Sequence, residues 1–208
     1  PGRFTYPAIP DFTGSAFIRH VLLHQPGTVP SSFAQPFDER LYAAASAGAL
    51  SWLRGIRPFL WRHGETYPAT PADLNRLFAN DEVDFAMSYG PGFASELIAR
   101  GEFPPTTRTF VLDEGTISNY SFLAVPFNAP NPAGAVMAIN ALLSARHALD
   151  KLAALGGVLP IAPEQLPGDD RRRYEQTPHG PATLPFDTLA AHRIPEADVQ
   201  YLLRLEAD

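Results

Sequence analysis

The sequence contains no cysteine, which removes disulfides, thiolate metal sites and thiol nucleophiles from the available chemistry at once. That absence suits an oxidising or a reducing compartment equally, so it does not place the protein. Lysine is almost missing too: of 16 Lys and Arg residues, Lys151 is the one lysine. This is a compositional bias of the source rather than a mark of function, because the two cations interchange on solvated faces. No apolar run approaches the roughly 20 residues that a membrane span requires, and stable membrane insertion is not expected. No stretch forms a basic stripe either. With 22 acidic side chains against 16 basic ones, a formal charge of −6 and a pI near 5.5, nucleic acid is not an expected partner. The run "DDRRR" (Asp169–Arg173) is internally balanced and reads as a solvated helix start. Nothing repeats at a fixed period. No signal segment opens the chain and its first residue is Pro1, so a processed or truncated protein is expected.

What is present is apolar content of 45% over 208 residues, enough to bury a real core in one large domain or two small lobes. The pattern along the chain is α/β. Strand-like stretches run at Arg3–Ile9, Val83–Tyr89, Thr106–Gly115 and Tyr120–Pro130. Helices are predicted from about Thr13 to His24 and over Phe37–Trp61, where Gly48 and Gly55 weaken the pattern and Pro58 breaks or restarts it. Tyr67–Asn80 carries a strong start signal, with Thr70 as N-cap, Pro71 at the first helical position and Asp73 in the first turn. A helix after Gly92 stops at Gly101. Asn131 caps another over Pro132–Ser144, a second follows around Ala145–Leu155 before Gly156 and Gly157, and a short amphipathic one closes the chain at Glu196–Ala207.

Two of these helices begin where a strand hands the chain to a small-residue turn. In "PDFTGSAFIRHVLLH" (Pro10–His24) the mouth is Asp11, Phe12, Thr13, Gly14 and Ser15; in "VDFAMSYGPGFASELIARG" it is Ser88, Tyr89, Gly90 and Gly92. The first amides of a helix have no internal partner, so they are either capped by neighbouring side chains or left to hold a ligand's acceptor atoms. Two such mouths at strand ends form a pocket hypothesis, since open α/β sheets bind ligands beyond the carboxyl ends of their strands.

Three further constellations bear on chemistry. His20 and His24 stand four apart in "HVLLH", a spacing at which two imidazoles can share a metal, but Val21 occupies the HExxH glutamate position and no third ligand lies nearby. A nucleophile elbow of the form G-x-S-x-G is missing, and Ser15 and Ser88 have no evident base. The turn "LDEGTISNYSF" presents Asp113 and Glu114 as paired carboxylates, as counter-charge for a cation, or as a plain polar turn. Trp52, Trp61, Tyr67, Tyr89 and Tyr120 could stack on a ligand ring or simply fill the core.

The stretches "YPAIPDFTGSAFIRHVL", "DEVDFAMSYGPGFASELIARGEFP", "RTFVLDEGTISNYSFLAVPFNAPNPAGAVMAINALLS" and "HGPATLPFDTLAAHRIPE" together resemble the periplasmic solute-binding subunits of ABC importers, in the YnjB-type, thiamine-transporter-like branch. The resemblance covers nearly the whole chain. It implies a type II periplasmic-binding-protein fold, three-layer α/β/α, with one lobe complete and the other partial: residues 1–111 as the second lobe, 112–119 as a crossover hinge, and 120–208 as the C-terminal share of the first lobe. It also implies a periplasmic, non-catalytic carrier that needs no cofactor and hands a small polar solute to permease subunits. Ligand contacts would come from Asp11, Phe12, Thr13, Gly14, Ser15, Ser88, Tyr89, Gly90, Gly92, Asp113, Glu114 and Tyr120. Helix mouths favour an anion, whereas Asp113, Glu114 and the tyrosines favour a cation such as thiamine. Family members are longer, so half of the cleft would be missing from these 208 residues and the fragment would self-associate, or rearrange onto the second lobe, through Val136, Ile139, Leu142 and Leu143. The alternatives are a metal-dependent enzyme using His20 and His24, and an interaction domain with no small ligand.

Overall fold

The computed structural model describes residues 2–118, 122–155, 159, 163–177 and 179–208. They fall into two compact units, one made of Pro1–Ser88, Phe110–Asn119 and Pro185–Asp208, the other of Tyr89–Thr109 and Tyr120–Leu184. The units therefore do not change at 111/112 as the expected lobes would: the chain's C-terminal segment from Pro185 joins the first unit, and the segment around Tyr89–Gly92 belongs to the second.

In the first unit, α1 (Phe12–Leu23) starts on Asp11, and α2 (Glu39–Ile56) starts on Asp38, whose carboxylate accepts from the amides of Arg40 and Leu41. As Pro58 predicts, α2 gives way to a 3-10 turn at Arg57–Phe59 and a second at Trp61–Gly64, while Gly48 and Gly55 are accommodated within the helix. α3 (Pro71–Ala79) starts on Thr70 as read from the sequence, the structure adds a full capping box of Thr70 with Asp73, and the helix buries Leu74. Further along lie β1 (Thr116–Ile117), α8 (Phe186–Ala191), β2 (Arg193–Ile194) and α9 (Val199–Ala207). β1 and β2 pair in parallel, Thr116 opposite Arg193 and Ile117 opposite Ile194. Gly115, at φ 113°, lies against Ile194 so closely that a Cβ there would collide with its side chain.

The core is a cluster in which Ile18, Leu22 and Leu23 of α1, Tyr42, Ala45 and Ala49 of α2, Phe33, Leu60, and Tyr201 and Leu205 of α9 are all nearly inaccessible. Tyr201 is its centre. Its ring lies 4.8 Å from that of Phe37 and 5.1 Å from that of Phe33, and its hydroxyl accepts the backbone N–H of Asp38 at 2.8 Å. The Asp198 amide donates to the Phe33 carbonyl, and the Tyr42 hydroxyl donates to the Asp208 carboxylate at 2.7 Å. Burial and that acidic partner push the Tyr42 phenol up to about 12.

The predicted strands are corrected. Arg3–Ile9, Val83–Tyr89 and Thr106–Gly115 are not in a ladder; among the described residues the strands are β1 and β2 alone. The reason is visible in the bonds that form instead. Arg3–Ala8 makes isolated links, with Trp61 N–H to the Phe4 carbonyl, Ala8 N–H to that of Pro68 and Asp84 N–H to that of Arg3. Pro7 and Pro68 have no N–H with which to extend the series. Aromatic contacts align these extended segments in place of a ladder: Phe85 meets Phe4 and Phe110, Phe4 meets Phe17, and Phe17 stacks on Tyr6 at 4.3 Å. The described residues of Tyr120–Pro130 likewise form no strand; Tyr120 itself, and the predicted stop at Gly156 and Gly157, lie outside the described residues.

The second unit contains α4 (Phe93–Ala99), α5 (Pro132–Leu142), α6 (Ala145–Leu155) and α7 (Gly168–Gln176). Asn131 caps α5 through Gly134 N–H as predicted. Ser95, buried on α4, bonds the Thr183 hydroxyl at 2.8 Å and accepts the Ala182 amide at 3.0 Å. Gly180 lies so near Ser95 that a Cβ would clash. α6 and α7 are joined by Arg173 on Asp150, and the balanced "DDRRR" run is the exposed start of α7, as read from the sequence. α5 buries no residue; Val136, Met137, Leu142 and Leu143 are all exposed.

Tyr201 supplies a direct check. Tyr201→Phe keeps the ring and removes one buried hydrogen bond, and should cost about 1–2 kcal/mol; Tyr201→Ala opens the cluster and should cost about 3–5 kcal/mol. Urea unfolding measures both, and equal losses would mean that the hydroxyl, not the ring, organises this core.

Candidate functional site

The mouth of α1 is closed by its own residues. The Asp11 carboxylate accepts Thr13 N–H at 2.8 Å and Gly14 N–H at 3.3 Å. Thr13, Gly14 and Ser15 are buried. Gly14 is there because a Cβ would strike the Pro7 carbonyl, so the glycine allows close packing of helix on extended chain. The Ser15 hydroxyl donates to Glu206 of α9. Arg19, only 4% exposed, donates from Nε to the Ser15 carbonyl at 3.2 Å and pairs through Nη1 with Glu196 at 2.8 Å. Phe12 remains exposed, under the Arg19 guanidinium at 5.5 Å. Capping and packing thus occupy the Thr13, Gly14 and Ser15 amides that the sequence offered to a ligand, while the buried Thr13 hydroxyl has no hydrogen-bond partner.

The remaining sequence candidates lie on separate segments of the chain. Gly92 caps α4 without a side-chain bond, and the preceding Ser88 and Tyr89 are exposed. The acidic turn is an exposed tip at Asp113 and Glu114, closed by Gly115 N–H on the Leu112 carbonyl. Tyr120 lies outside the described residues. The α1 mouth and the acidic turn belong to the first unit, and Tyr89, Gly90 and Gly92 to the second.

His20 and His24 lie on one face of α1 with ring centroids 5.7 Å apart and nearly parallel planes. His24 Nδ1 is 2.8 Å from the His20 carbonyl and therefore carries the proton it donates there. Burial, reinforced by the neighbouring His24 and Arg19, brings His20 down to about 4. Among the described residues no group of three or more His, Asp or Glu side chains could hold a metal ion.

A groove that the sequence reading did not assemble lies within the first unit. It is an open cavity of about 480 Å³, lined among others by Trp61, Arg62, Tyr67, Asp73, Arg76 and Glu82. Its rim is a loop in a costly conformation: Arg62 and His63 have φ of 50° and 57°, followed by Gly64 at 65°. Two consecutive non-glycine residues in the left-handed region need support from their surroundings. Arg57 gives it, with Nε donating to the Gly64 carbonyl at 3.2 Å and its side chain filling the space where a Gly64 Cβ would be. The Trp61 amide is fixed to the Phe4 carbonyl at 2.8 Å. The loop lays the Arg62 guanidinium over the Trp61 ring, 4.1 Å from its centroid. Across the groove, Asp73 is committed to Thr70 and Arg76. The Thr70 hydroxyl and Arg76 hold its carboxyl below the usual carboxylate range. Trp61 and Tyr67 were among the aromatics that the sequence offered for stacking; Arg62 and Glu82 were not, because a left-handed Arg-His pair has no compositional signature.

The sequence also aligns with a known protein: 177 residues, 84% of this chain, are 32% identical to Protein YnjB of Escherichia coli (strain K12). This similarity supports membership of the YnjB family. The chain spans 45% of the length of YnjB. No family model and no solved structure matches it.

The buried imidazole has a pH consequence. His20 is held neutral in the fold, at about 4 against an ordinary 6.5, so the unfolded chain binds the extra proton between those values. Stability is then complete above pH 6.5 and is lost as pH falls toward 4. His20→Gln should flatten that part of the profile, by about 2–3 kcal/mol over the full range. Urea unfolding of both proteins across this window measures the difference, and parallel profiles would show that His20 is not the group responsible.

Proposed function

We propose that the chain is part of an extracytoplasmic solute-binding subunit of an ABC importer, which captures a small polar solute and passes it to permease subunits without transforming it. The observation that carries this reading is the groove of the first unit. It is open to water and presents aromatic faces, charges and hydroxyls on a preorganised loop, a combination suited to reversible capture of a polar solute. The similarity to YnjB and the four long stretches that resemble solute-binding subunits support the same reading. So does the parallel pairing of β1 with β2, a connection that α/β folds make through intervening helices. On this reading the fold is of the type II, three-layer α/β/α kind and the location is periplasmic. The solute contacts lie in the groove rather than at the α1 mouth, whose Thr13, Gly14 and Ser15 amides are bonded within the fold.

Two outcomes are expected. A version extended to the length of YnjB should retain a small solute through purification, identifiable by mass spectrometry, and should bind it at least about tenfold more tightly than this chain, because high affinity requires about 70–90% of the ligand surface to be buried. Equal affinities in calorimetry would count against a shared site. The apolar face of α5 should bring copies of the 208-residue chain together: Met137→Glu, at a position 73% exposed, should lower the mass seen in light scattering while leaving Tm unchanged. A monomeric wild-type chain would remove that expectation.

A further inference from the structure

We infer that the groove of the first unit recognises a zwitterion, an amino acid or betaine, by meeting its carboxylate with Arg62 and its ammonium with Glu82. The inference rests on the solute-binding reading and names the class of solute. Four charged side chains line the cavity, Arg62, Asp73, Arg76 and Glu82. Asp73 and Arg76 neutralise each other across one turn of α3. Arg62 and Glu82 do not: among the described residues neither has an ion-pair partner, and they are not paired with one another. One cation and one anion therefore remain unspent in a single groove.

The geometry of each suits its half of such a solute. Held over the Trp61 ring by its Cζ and without an ion-pair partner, the Arg62 guanidinium has N–H donors to offer an oxyanion, the fork geometry that matches a carboxylate in bidentate fashion. The loop that carries it is fixed by Arg57 in the left-handed region, so little ordering is left for binding to supply. Glu82 is half-buried at the end of the turn after α3, with its amide fixed to the Leu77 carbonyl at 2.9 Å. Its carboxylate accepts N–H bonds from a primary ammonium and attracts a quaternary one by charge alone. A simple anion would satisfy Arg62 and be repelled by Glu82; a simple cation would do the reverse. A cavity of about 480 Å³ holds a solute of amino-acid size with water to spare.

The chain has two tryptophans, and Trp52 does not line the groove, so Trp52→Phe leaves Trp61 as a local reporter. Its emission should change saturably with glycine betaine or L-glutamine. Acetate and tetramethylammonium should act at least tenfold more weakly. Arg62→Gln and Glu82→Gln should each weaken the zwitterion response at least tenfold, with far-UV circular dichroism unchanged. Equal responses to the single-charge solutes, or zwitterion responses that survive both substitutions, would overturn the assignment. If Trp61 is silent while calorimetry on the same chain still records zwitterion binding, the groove is wrong and the solute-binding reading stands. If neither method records binding of any of these solutes, the zwitterion assignment fails, and the solute-binding reading then stands or falls on whether the version extended to the length of YnjB retains a solute.

Discussion

The first unit depends on the seating of α9 against α1 and α2. Its central contact joins two groups 163 residues apart, the Tyr201 hydroxyl and the Asp38 amide, in a pocket of aromatic rings. The same residue thereby fills the core with its ring and satisfies a backbone donor just before α2 begins. That amide would be costly to leave unpaired away from water. Glu196 and Glu206, on either side of Tyr201, reach Arg19 and Ser15 on α1. The helix is thus held by an apolar ring at its centre and by polar bonds at its flanks, and α1 is placed in turn against Pro7.

The helices were largely legible in the sequence because their signals are local. Thr70 with Asp73, Asn131 before Pro132, and Pro58 just past the end of α2 all act within a turn of the residues they govern. The strands were not. Arg3–Ala8 has the composition of a strand, but its neighbours contribute prolines and aromatic rings in place of a regular series of donors. The ladder that does form, β1 with β2, pairs residues far apart in the chain over two residues each, as Thr116 opposite Arg193 shows. No periodicity can register so short a segment.

The candidate site divides in the same way. The sequence identifies Asp11–Ser15 as a helix start, correctly, but cannot say that Asp11 turns back onto the Thr13 and Gly14 amides or that Gly14 faces a carbonyl. Glycine reads the same whether it makes room for a ligand or for another part of the chain. Trp61 and Tyr67 stood out by residue type. Their partner Arg62 did not, since its role comes from a backbone conformation that Arg57 imposes from upstream.

The order in which these contacts can form follows from the position of α9. Closing a loop of 163 residues, as the Asp38–Tyr201 bond requires, carries an entropic cost that local contacts do not. The capping box of α3 joins residues three apart, whereas the cluster around Leu22, Leu23 and Phe33 is completed only when α9 arrives. During that interval the unit exposes the apolar surface on which non-native association feeds. Slow, topology-limited assembly of this unit is therefore built into the chain's connectivity, and any partner that shields α1 and α2 before α9 docks would act on the rate of folding rather than on the stability of the finished fold.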